Sequence, residues 1–413
     1  MAIRITPDGS AGPLPFAQPF LHTLNRMRAQ ERLRPDQLTD RARALLYERL
    51  GPAREPAEAA FAHGSIGLMA DHTHYFDGFA LLLSLPHGAA VALRASSTGE
   101  TRIVTENAGA PIMLGPTADL SRIVDPFARV AAESLRRVMD DEIPVEVAIV
   151  TNLPWSVGPG REAAVAVATT RAVLALRALA ISADDLVAAE AAALEAATGN
   201  AFSNAYVQAA VVTGDHAFVL VDTATVERIV MDVAAADRPG WAILGVQPPQ
   251  GLRAYSSSER KTRADEALEA LRKEGFDGLS SFRDLQHKDL ERALAAAPRR
   301  LRGVVQFLVT ENARVQRMVN AVRKQDWQML GALMHMSHAG KKGDWHATSD
   351  RTDFVVHQAE QMSLEGIYGA CQLGENGHSV LIMGLPFTVP PFLDRVRSEF
   401  TGKFHAEPDL FLL

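Results

Sequence analysis

The feature that most constrains the fold is a long alanine-rich stretch that follows an apolar run and a glycine-containing loop. The apolar run is residues 145–150, the loop is 151–160 and the alanine-rich stretch is 161–198. Ala, Leu, Arg and Glu are strong helix formers, so we predict two helices that part near residue 182, with Ser182 or Asp184 as the N-cap. Both helices are apolar over much of their surface and should therefore be buried.

A strand, a glycine loop and a helix in this order also form a typical anion-binding arrangement, because a helix N-terminus offers unpaired N–H groups and a partial positive charge. Gly158, Gly160, Arg161 and Glu162 would lie at that point. Glu162 has two interpretations. It either fits the helix dipole in the first turn or repels a bound phosphate. Arg161 offers a cation to a different anion.

A second polar cluster lies on a turn before the apolar run of residues 80–85, which we predict to be a strand. Turns of this kind often carry functional groups on a rigid scaffold. The turn contains Asp71, His72, His74 and Asp77. A metal site built from these side chains and His63 is conceivable, but a solvated turn is the simpler interpretation.

Other segments complete an alternation of helices and strands. Residues 1–20 hold four prolines and are typical of an extended arm. Periodicity predicts helices over residues 21–50, 127–139, 258–297, 304–318, 322–336 and 352–362, strands over 216–222 and 380–385, and a helix with a closing strand over 390–413.

Composition excludes several classes of protein. A chain of 413 residues with 47% hydrophobic composition is long enough for two cores. The net charge of −7 argues against a nucleic-acid surface, and the single cysteine, Cys371, excludes an intramolecular disulfide. No window of about 20 residues is apolar enough to span a membrane, and no secretory signal is evident, so we expect a cytoplasmic protein.

Several motifs resemble those of one family. The residues that fit are Gly64, His72, Thr73, Tyr75 and Gly78 in the first motif, Pro154, Gly158, Ala163 and Ala164 in the second, and Gly366 and Gly369 in the third. Together they resemble the galactokinase family of the GHMP kinase superfamily over about residues 60–385. The resemblance implies an α/β (α+β) fold with mixed sheets, helices on one side and an interdomain cleft. We place the two domains at 1–205 and 206–413.

At several positions that carry the chemistry in that family, this sequence has a different residue. Ser65 stands where the family has Arg, and Asp71 and His74 replace the acids that grip the sugar. Three serines of the phosphate loop are replaced by Gly160, Arg161 and Glu162, one of them a serine that helps hold magnesium in the family.

The family aspartate that activates the sugar hydroxyl is also missing, because the segment from Asn200 to Gly214 contains no carboxylate. The catalytic residue is therefore unknown from the sequence. Tyr206 lies in that segment, but a phenol with a pKa near about 10 is a poor base at neutral pH. Glu375 adds an acid to the third motif.

These departures predict a galactokinase-like protein that lacks ordinary kinase activity and binds a small ligand, such as a sugar, or a protein partner in the former cleft. The alternative is an active ATP-dependent sugar 1-kinase in which Asp71 or Asp77 acts as base and Glu162 binds the metal. Mg-ATP is a cofactor only in that case. The sugar-pocket equivalents are Ser65, Asp71, His72, His74, Asp77 and Tyr255. The phosphate-loop equivalents are Gly158, Gly160, Arg161, Glu162, Gly374 and Glu375.

Overall fold

The computed structural model describes the chain from Leu33 to Leu413 except residues 54, 71, 74–75, 107, 116, 140–143, 200–203, 213, 226, 248–254 and 375–376. Within the described residues, no helix combines the length and the apolar character that a membrane span requires. The proline-rich arm predicted for residues 1–20 lies outside the described residues.

A seven-stranded mixed sheet forms the first part of the fold. Its strands are β1 (Glu58–Met69), β2 (Phe79–Ala95), β3 (Thr101–Thr105), β4 (Ile112–Leu114), β5 (Val145–Thr151), β6 (Phe218–Asp222) and β7 (Glu227–Met231). The order across the sheet is β4-β3-β5-β2-β6-β7, and β1 pairs with the other edge of β2. Strands β3 and β5 are parallel, whereas the other pairs are antiparallel.

The second sheet has four antiparallel strands in the order β11-β8-β10-β9. They are β8 (Gly240–Gly245), β9 (Ile367–Leu373), β10 (Ser379–Gly384) and β11 (Asp409–Leu412). The change from one sheet to the other thus falls between Met231 and Gly240, because β6 and β7 still belong to the first sheet. The division into domains at 205/206 stays a prediction.

Helices surround both sheets. They are α1 (Pro35–Leu50), α2 (Pro126–Val138), α3 (Gly160–Leu176), α4 (Ala183–Thr198), α5 (Asn204–Ala210), α6 (Ser257–Lys273), α7 (Leu290–Ala296), α8 (Arg302–Lys324), α9 (Trp327–Gly343), α10 (Asp350–Gln361) and α11 (Val389–Phe404). The helix–strand alternation and the mixed sheets confirm the predicted fold class.

The alanine-rich stretch forms the two predicted helices, α3 and α4. Ser182 is the N-cap of α4, and its hydroxyl accepts a hydrogen bond from the backbone N–H of Asp185. Helices α2 to α5 pack together on one face of the first sheet, where α3 contacts β1 and β2. Helix α1 covers the opposite face through Leu38 and Leu45.

One continuous core joins the two sheets. It includes Ile66 and Val91 of the first sheet and Trp241 and Leu381 of the second. A separate core lies among helices α6, α7 and α8, and a third lies between the outer face of the second sheet and helices α10 and α11. The loops at the ends of β1, β5 and β9 are therefore held by packed elements on several sides.

Candidate functional site

The turn between β1 and β2 is tied to the second half of the chain. The backbone N–H of Phe79 donates to Asn312 Oδ1 at 3.0 Å, and Thr223 Oγ1 donates to the Gly78 carbonyl at 2.7 Å. Helix α8 and the end of β6 therefore fix the start of β2. Asp71 and His74 lie outside the described residues, so their placement in the sugar pocket stays a prediction.

His72 is fully buried beneath this turn. Its ring lies 5.4 Å from the Trp345 ring and 6.1 Å from the Phe307 ring, measured between centroids. Its φ of 79° belongs to the left-handed region. His72 therefore anchors the turn to an aromatic cluster.

Asp77 has an exposed side chain. Its carbonyl accepts a hydrogen bond of 3.0 Å from Arg283, whose guanidinium also forms an ion pair with Asp222. This ion pair holds the pKa of the Asp222 carboxyl below its usual range. The carboxylate of Asp222 therefore pairs with Arg283 and helps to hold the turn in place.

Tyr255 is 40% exposed at the start of helix α6. The Arg263 guanidinium lies 4.6 Å from the centre of its ring, and Arg260 lies 5.8 Å from it. Arg260 in turn donates to the Trp345 carbonyl at 2.7 Å. Two of the predicted sugar-pocket residues, Tyr255 and His72, are therefore connected through Arg260 and Trp345.

The phosphate-loop equivalents begin helix α3 directly against strand β1. Gly158 has a φ of 78°, and Gly160 is the first residue of the helix. A Cβ on Gly160 would overlap the Ser65 carbonyl oxygen. The structure thus brings a sugar-pocket equivalent, Ser65, into contact with a phosphate-loop equivalent, Gly160. A serine at position 160, as in the family motif, requires one of the two backbones to move.

Arg161 and Glu162 occupy the first turn of helix α3 and are both half-buried. The Arg161 guanidinium lies 4.7 Å from the centre of the Phe127 ring, at the start of helix α2. Burial lowers the pKa of Arg161 and raises the pKa of the Glu162 carboxyl. Burial thus disfavours the charged form of the Glu162 carboxyl, and the nearby Arg161 guanidinium partly offsets this effect.

The third motif forms the hairpin between β9 and β10, in which Gly374 and Gly377 both have positive φ. Ser379 Oγ donates to the Ser156 carbonyl at 2.9 Å. This hydrogen bond joins the hairpin to the phosphate loop, as expected if both loops face one site. Glu375 lies outside the described residues.

We call the region where Ser65, Ser156, Gly160 and Ser379 meet the candidate cleft. Sequence reasoning did not single out Ser156, Ser379 or Phe127. The two serines contact each other although they are 223 residues apart in the sequence. Phe127, at the start of helix α2, contacts Arg161 at the start of helix α3. The local sequence pattern around each residue does not indicate such long-range contacts.

Helix α5 occupies part of the segment from Asn200 to Gly214, where the family aspartate is expected. Asn200 lies outside the described residues, whereas the Gly214 carbonyl accepts a hydrogen bond of 2.8 Å from Ser84 Oγ in strand β2. The far end of the segment is therefore fixed to the first sheet. The role of this segment in catalysis, or its lack of one, stays a prediction.

Tyr206 is the buried phenol of helix α5. It is 4% exposed, and its hydroxyl lies 2.8 Å from the position of a Cβ on Gly67 in β1. The helix also contacts β1. A buried phenol therefore faces this strand in a segment whose sequence contains no carboxylate.

An apolar groove lies beside the start of helix α2. Its volume is about 670 Å³, and its lining includes Met113, Val124 and Pro126. The Val124 side chain is 90% exposed.

Among the described residues, no group of three or more His, Cys, Asp or Glu side chains is arranged to hold a metal ion.

The chain is similar to several known proteins. No protein-family model matches the chain. A galactokinase of Thermotoga petrophila is 27% identical over 331 residues, which cover 78% of this chain and 88% of the relative. A galactokinase of Streptomyces coelicolor is 27% identical over 373 residues, which cover 86% and 92%.

Among solved structures, Lactococcus lactis galactokinase complexed with galactose aligns with a TM-score of 0.78 at 19% identity, covering 91% of this chain and 96% of that one. Methanococcus jannaschii mevalonate kinase aligns with a TM-score of 0.62 at 11% identity, covering 87% and 98%. The fold is therefore that of the GHMP kinase superfamily. In sequence, the chain is similar to galactokinases over most of its length.

Proposed function

We propose that this galactokinase-like protein binds a small ligand, most simply a sugar, in the candidate cleft and does not catalyse ordinary phosphoryl transfer. The observation that carries the proposal is the missing base. No carboxylate occurs from Asn200 to Gly214, and helix α5 fills that part of the site with the buried Tyr206. General base catalysis is worth about 10²- to 10⁴-fold in rate.

The start of helix α3 supports the same proposal. Gly160 is pressed against Ser65, so the loop lacks room for a serine at that position. Glu162 adds a carboxyl in the first turn of the helix, where its negative charge would repel the phosphates of a nucleoside triphosphate. Both features weaken a Mg-ATP site.

A sugar is supported as ligand by the relatives. The Lactococcus lactis galactokinase that shares the fold is complexed with galactose. In this chain, Ser65, His72 and Tyr255 occupy the corresponding motif positions, and Arg260 and Trp345 connect two of them.

A coupled assay of ADP formation tests the proposal. The purified protein is mixed with Mg-ATP and galactose, and Lactococcus lactis galactokinase serves as the positive control. We expect turnover at least about 100-fold below that control. Isothermal titration with galactose in the absence of nucleotide measures binding separately.

Turnover near that of the control would contradict the proposal. In that case Glu162→Ala decides whether the alternative holds, because loss of turnover in this variant would support Glu162 as a metal ligand. Glu195→Ala, on the exposed side of helix α4, is the matched control.

A further inference from the structure

We propose that the ligand of the candidate cleft is a single monosaccharide that carries its own anionic group, a carboxylate or a phosphate, and that Arg161 binds this group. The inference rests on the proposed function, because an active kinase would place nucleotide phosphates at the same helix start. It adds a substrate class and a specificity-determining residue.

Arg161 has one buried hydrogen-bond donor that its surroundings do not satisfy. Its Nε is buried and has no hydrogen-bond partner among the described residues. The guanidinium packs on the face of Phe127, which attracts a cation but accepts no N–H hydrogen bond in the plane of the guanidinium. A buried charged donor without an acceptor is costly, and a bound anion would supply the acceptor.

Two buried hydroxyls flank the same helix start. Ser65 is 0% exposed and Ser156 is 4% exposed, and neither hydroxyl has a hydrogen-bond partner among the described residues. Ser156 belongs to the short turn just before helix α3. Unsatisfied buried hydroxyls are uncommon in native proteins and call for a partner.

The register of strand β1 directs Ser65 toward this helix start. Residues 65 to 67 pair regularly with β2, so Ser65 and Gly67 share one face of the strand. Gly67 faces the Tyr206 hydroxyl of helix α5, which lies in the same layer as α3. The Ser65 hydroxyl therefore points to the layer in which Arg161 begins the helix.

The contact between Ser65 and Gly160 favours one small ligand in the candidate cleft over a sugar and a nucleotide bound side by side. It leaves the sugar-pocket side and the anion side of the candidate cleft directly adjacent. Arg161 supplies one positive charge. The neighbouring Glu162 carboxyl lies close enough to attract this guanidinium, but burial raises the pKa of the carboxyl and so disfavours its charged form. A single small anion matches this charge better than a triphosphate does.

Isothermal titration calorimetry of the full-length protein tests the inference. The probes are galactose, galacturonate, galactose 1-phosphate and inorganic phosphate, each without nucleotide. We expect galacturonate or galactose 1-phosphate to bind at least about 10-fold more tightly than galactose. The two anionic sugars distinguish a carboxylate ligand from a phosphate ligand. Inorganic phosphate shows whether the sugar part contributes.

The variant Arg161→Gln should weaken binding of the preferred anionic sugar by roughly 10- to 100-fold and so remove its preference over galactose. Arg161→Lys keeps the positive charge without the planar guanidinium. Its affinity for the anionic sugar should therefore lie between those of Arg161→Gln and the unaltered protein. Arg323→Gln, at an exposed position of helix α8, is the control and should bind like the unaltered protein. Melting curves confirm that each variant is folded.

The inference is overturned if galactose binds as tightly as both anionic sugars, if inorganic phosphate alone binds as well as they do, or if folded Arg161→Gln keeps the preference. Absence of binding by all four probes also overturns it. Adding Mg-ATP to the same samples keeps the two proposals apart. Sugar phosphorylation would contradict the proposed function, whereas the anion preference is read from the nucleotide-free titrations alone.

Discussion

Two regions of the molecule differ in whether their buried polar groups are hydrogen-bonded. One is the junction between helices α8 and α9, and the other is the start of helix α3. At the junction, the Glu311 carboxylate accepts hydrogen bonds from Arg314 and from Ser337, and the neighbouring Asn312 accepts one from the backbone of Phe79. Each of these groups has a partner. The network ties two helices to each other and to the central strand of the first sheet.

At the start of helix α3, by contrast, the hydroxyls of Ser65 and Ser156 and the Nε of Arg161 are buried without hydrogen-bond partners in the described chain. Burying an unpaired polar group costs free energy, whereas a paired one costs little. The junction therefore stabilises the fold, and the helix start keeps unsatisfied groups in a place where a ligand would satisfy them.

The largest expected effect is at the junction. Glu311→Ala should lower the free energy of unfolding by about 3–5 kcal/mol, because it leaves the buried Arg314 without its carboxylate. Urea denaturation measures the change, and Glu291→Ala on the exposed side of helix α7 is the control. A loss below about 1 kcal/mol would show that the junction is not the more tightly bound region.

The next effect concerns Glu190 in helix α4, which packs against helices α2 and α3. Glu190 is fully buried between Ser134 and Thr170, and burial raises the pKa of its carboxyl to about 7. Because the pKa is higher in the folded state than in the unfolded state, this group costs stability as pH rises from about 4.5 to about 7. Arg137 opposes that shift only weakly.

Glu190→Gln should therefore unfold with a free energy about 2–3 kcal/mol higher than the unaltered protein at pH 8, with the difference shrinking toward pH 4.5. Urea denaturation at a series of pH values provides the test. Glu195→Gln, exposed on the same helix α4, should leave the pH profile unchanged. A constant difference at every pH would mean that Glu190 does not titrate in this range.

A smaller effect is expected at the first residue of helix α3. Gly160→Ser restores the family residue but forces its Cβ against the Ser65 carbonyl, so stability should fall by about 1–3 kcal/mol. The control is Gly402→Ser in helix α11, where a Cβ meets nothing within 4 Å. If Gly160→Ser is as stable as its control, the candidate cleft has more room than its contacts indicate.

The smallest effect is expected at the cap of helix α4. Ser182→Ala removes the side-chain acceptor for the Asp185 N–H and should cost about 1 kcal/mol. Ser182→Asn supplies another acceptor and should restore most of the loss. Thermal melting of both variants measures the change. Equal melting temperatures for Ser182→Ala and the unaltered protein would contradict a capping role.

Local patterns predicted many elements of this fold, but they missed others, such as strands β7 and β8 and helix α5, and misplaced some ends. The cap at Ser182 was predictable because a hydroxyl before an alanine-rich run is a strong N-terminal signal. The helix predicted to start at residue 322 in fact begins at Trp327. Gln325 takes a left-handed conformation and Asp326 caps the new helix. The predicted helix over residues 258–297 is interrupted after Lys273, where two glycines follow.

The candidate cleft was predictable only in part. Motif resemblance located Gly158, Gly160, Arg161 and Glu162, and the structure places them together at one helix start. The contact of Gly160 with Ser65 and the hydrogen bond between Ser156 and Ser379 were not predictable, because they depend on how distant elements pack. The roles proposed for these residues in binding await measurement.

The most direct test of kinase deficiency is a single-turnover experiment. The protein is mixed with Mg-ATP and radiolabelled galactose at a concentration below that of the protein, and labelled sugar phosphate is measured over hours. We predict that product forms at least about 100-fold more slowly than with Lactococcus lactis galactokinase under the same conditions, because the candidate cleft lacks a base. Stoichiometric conversion of galactose to its phosphate at a rate near that of this control, lost in Glu162→Ala and retained in Glu195→Ala, would contradict the account and establish an active kinase with rearranged residues.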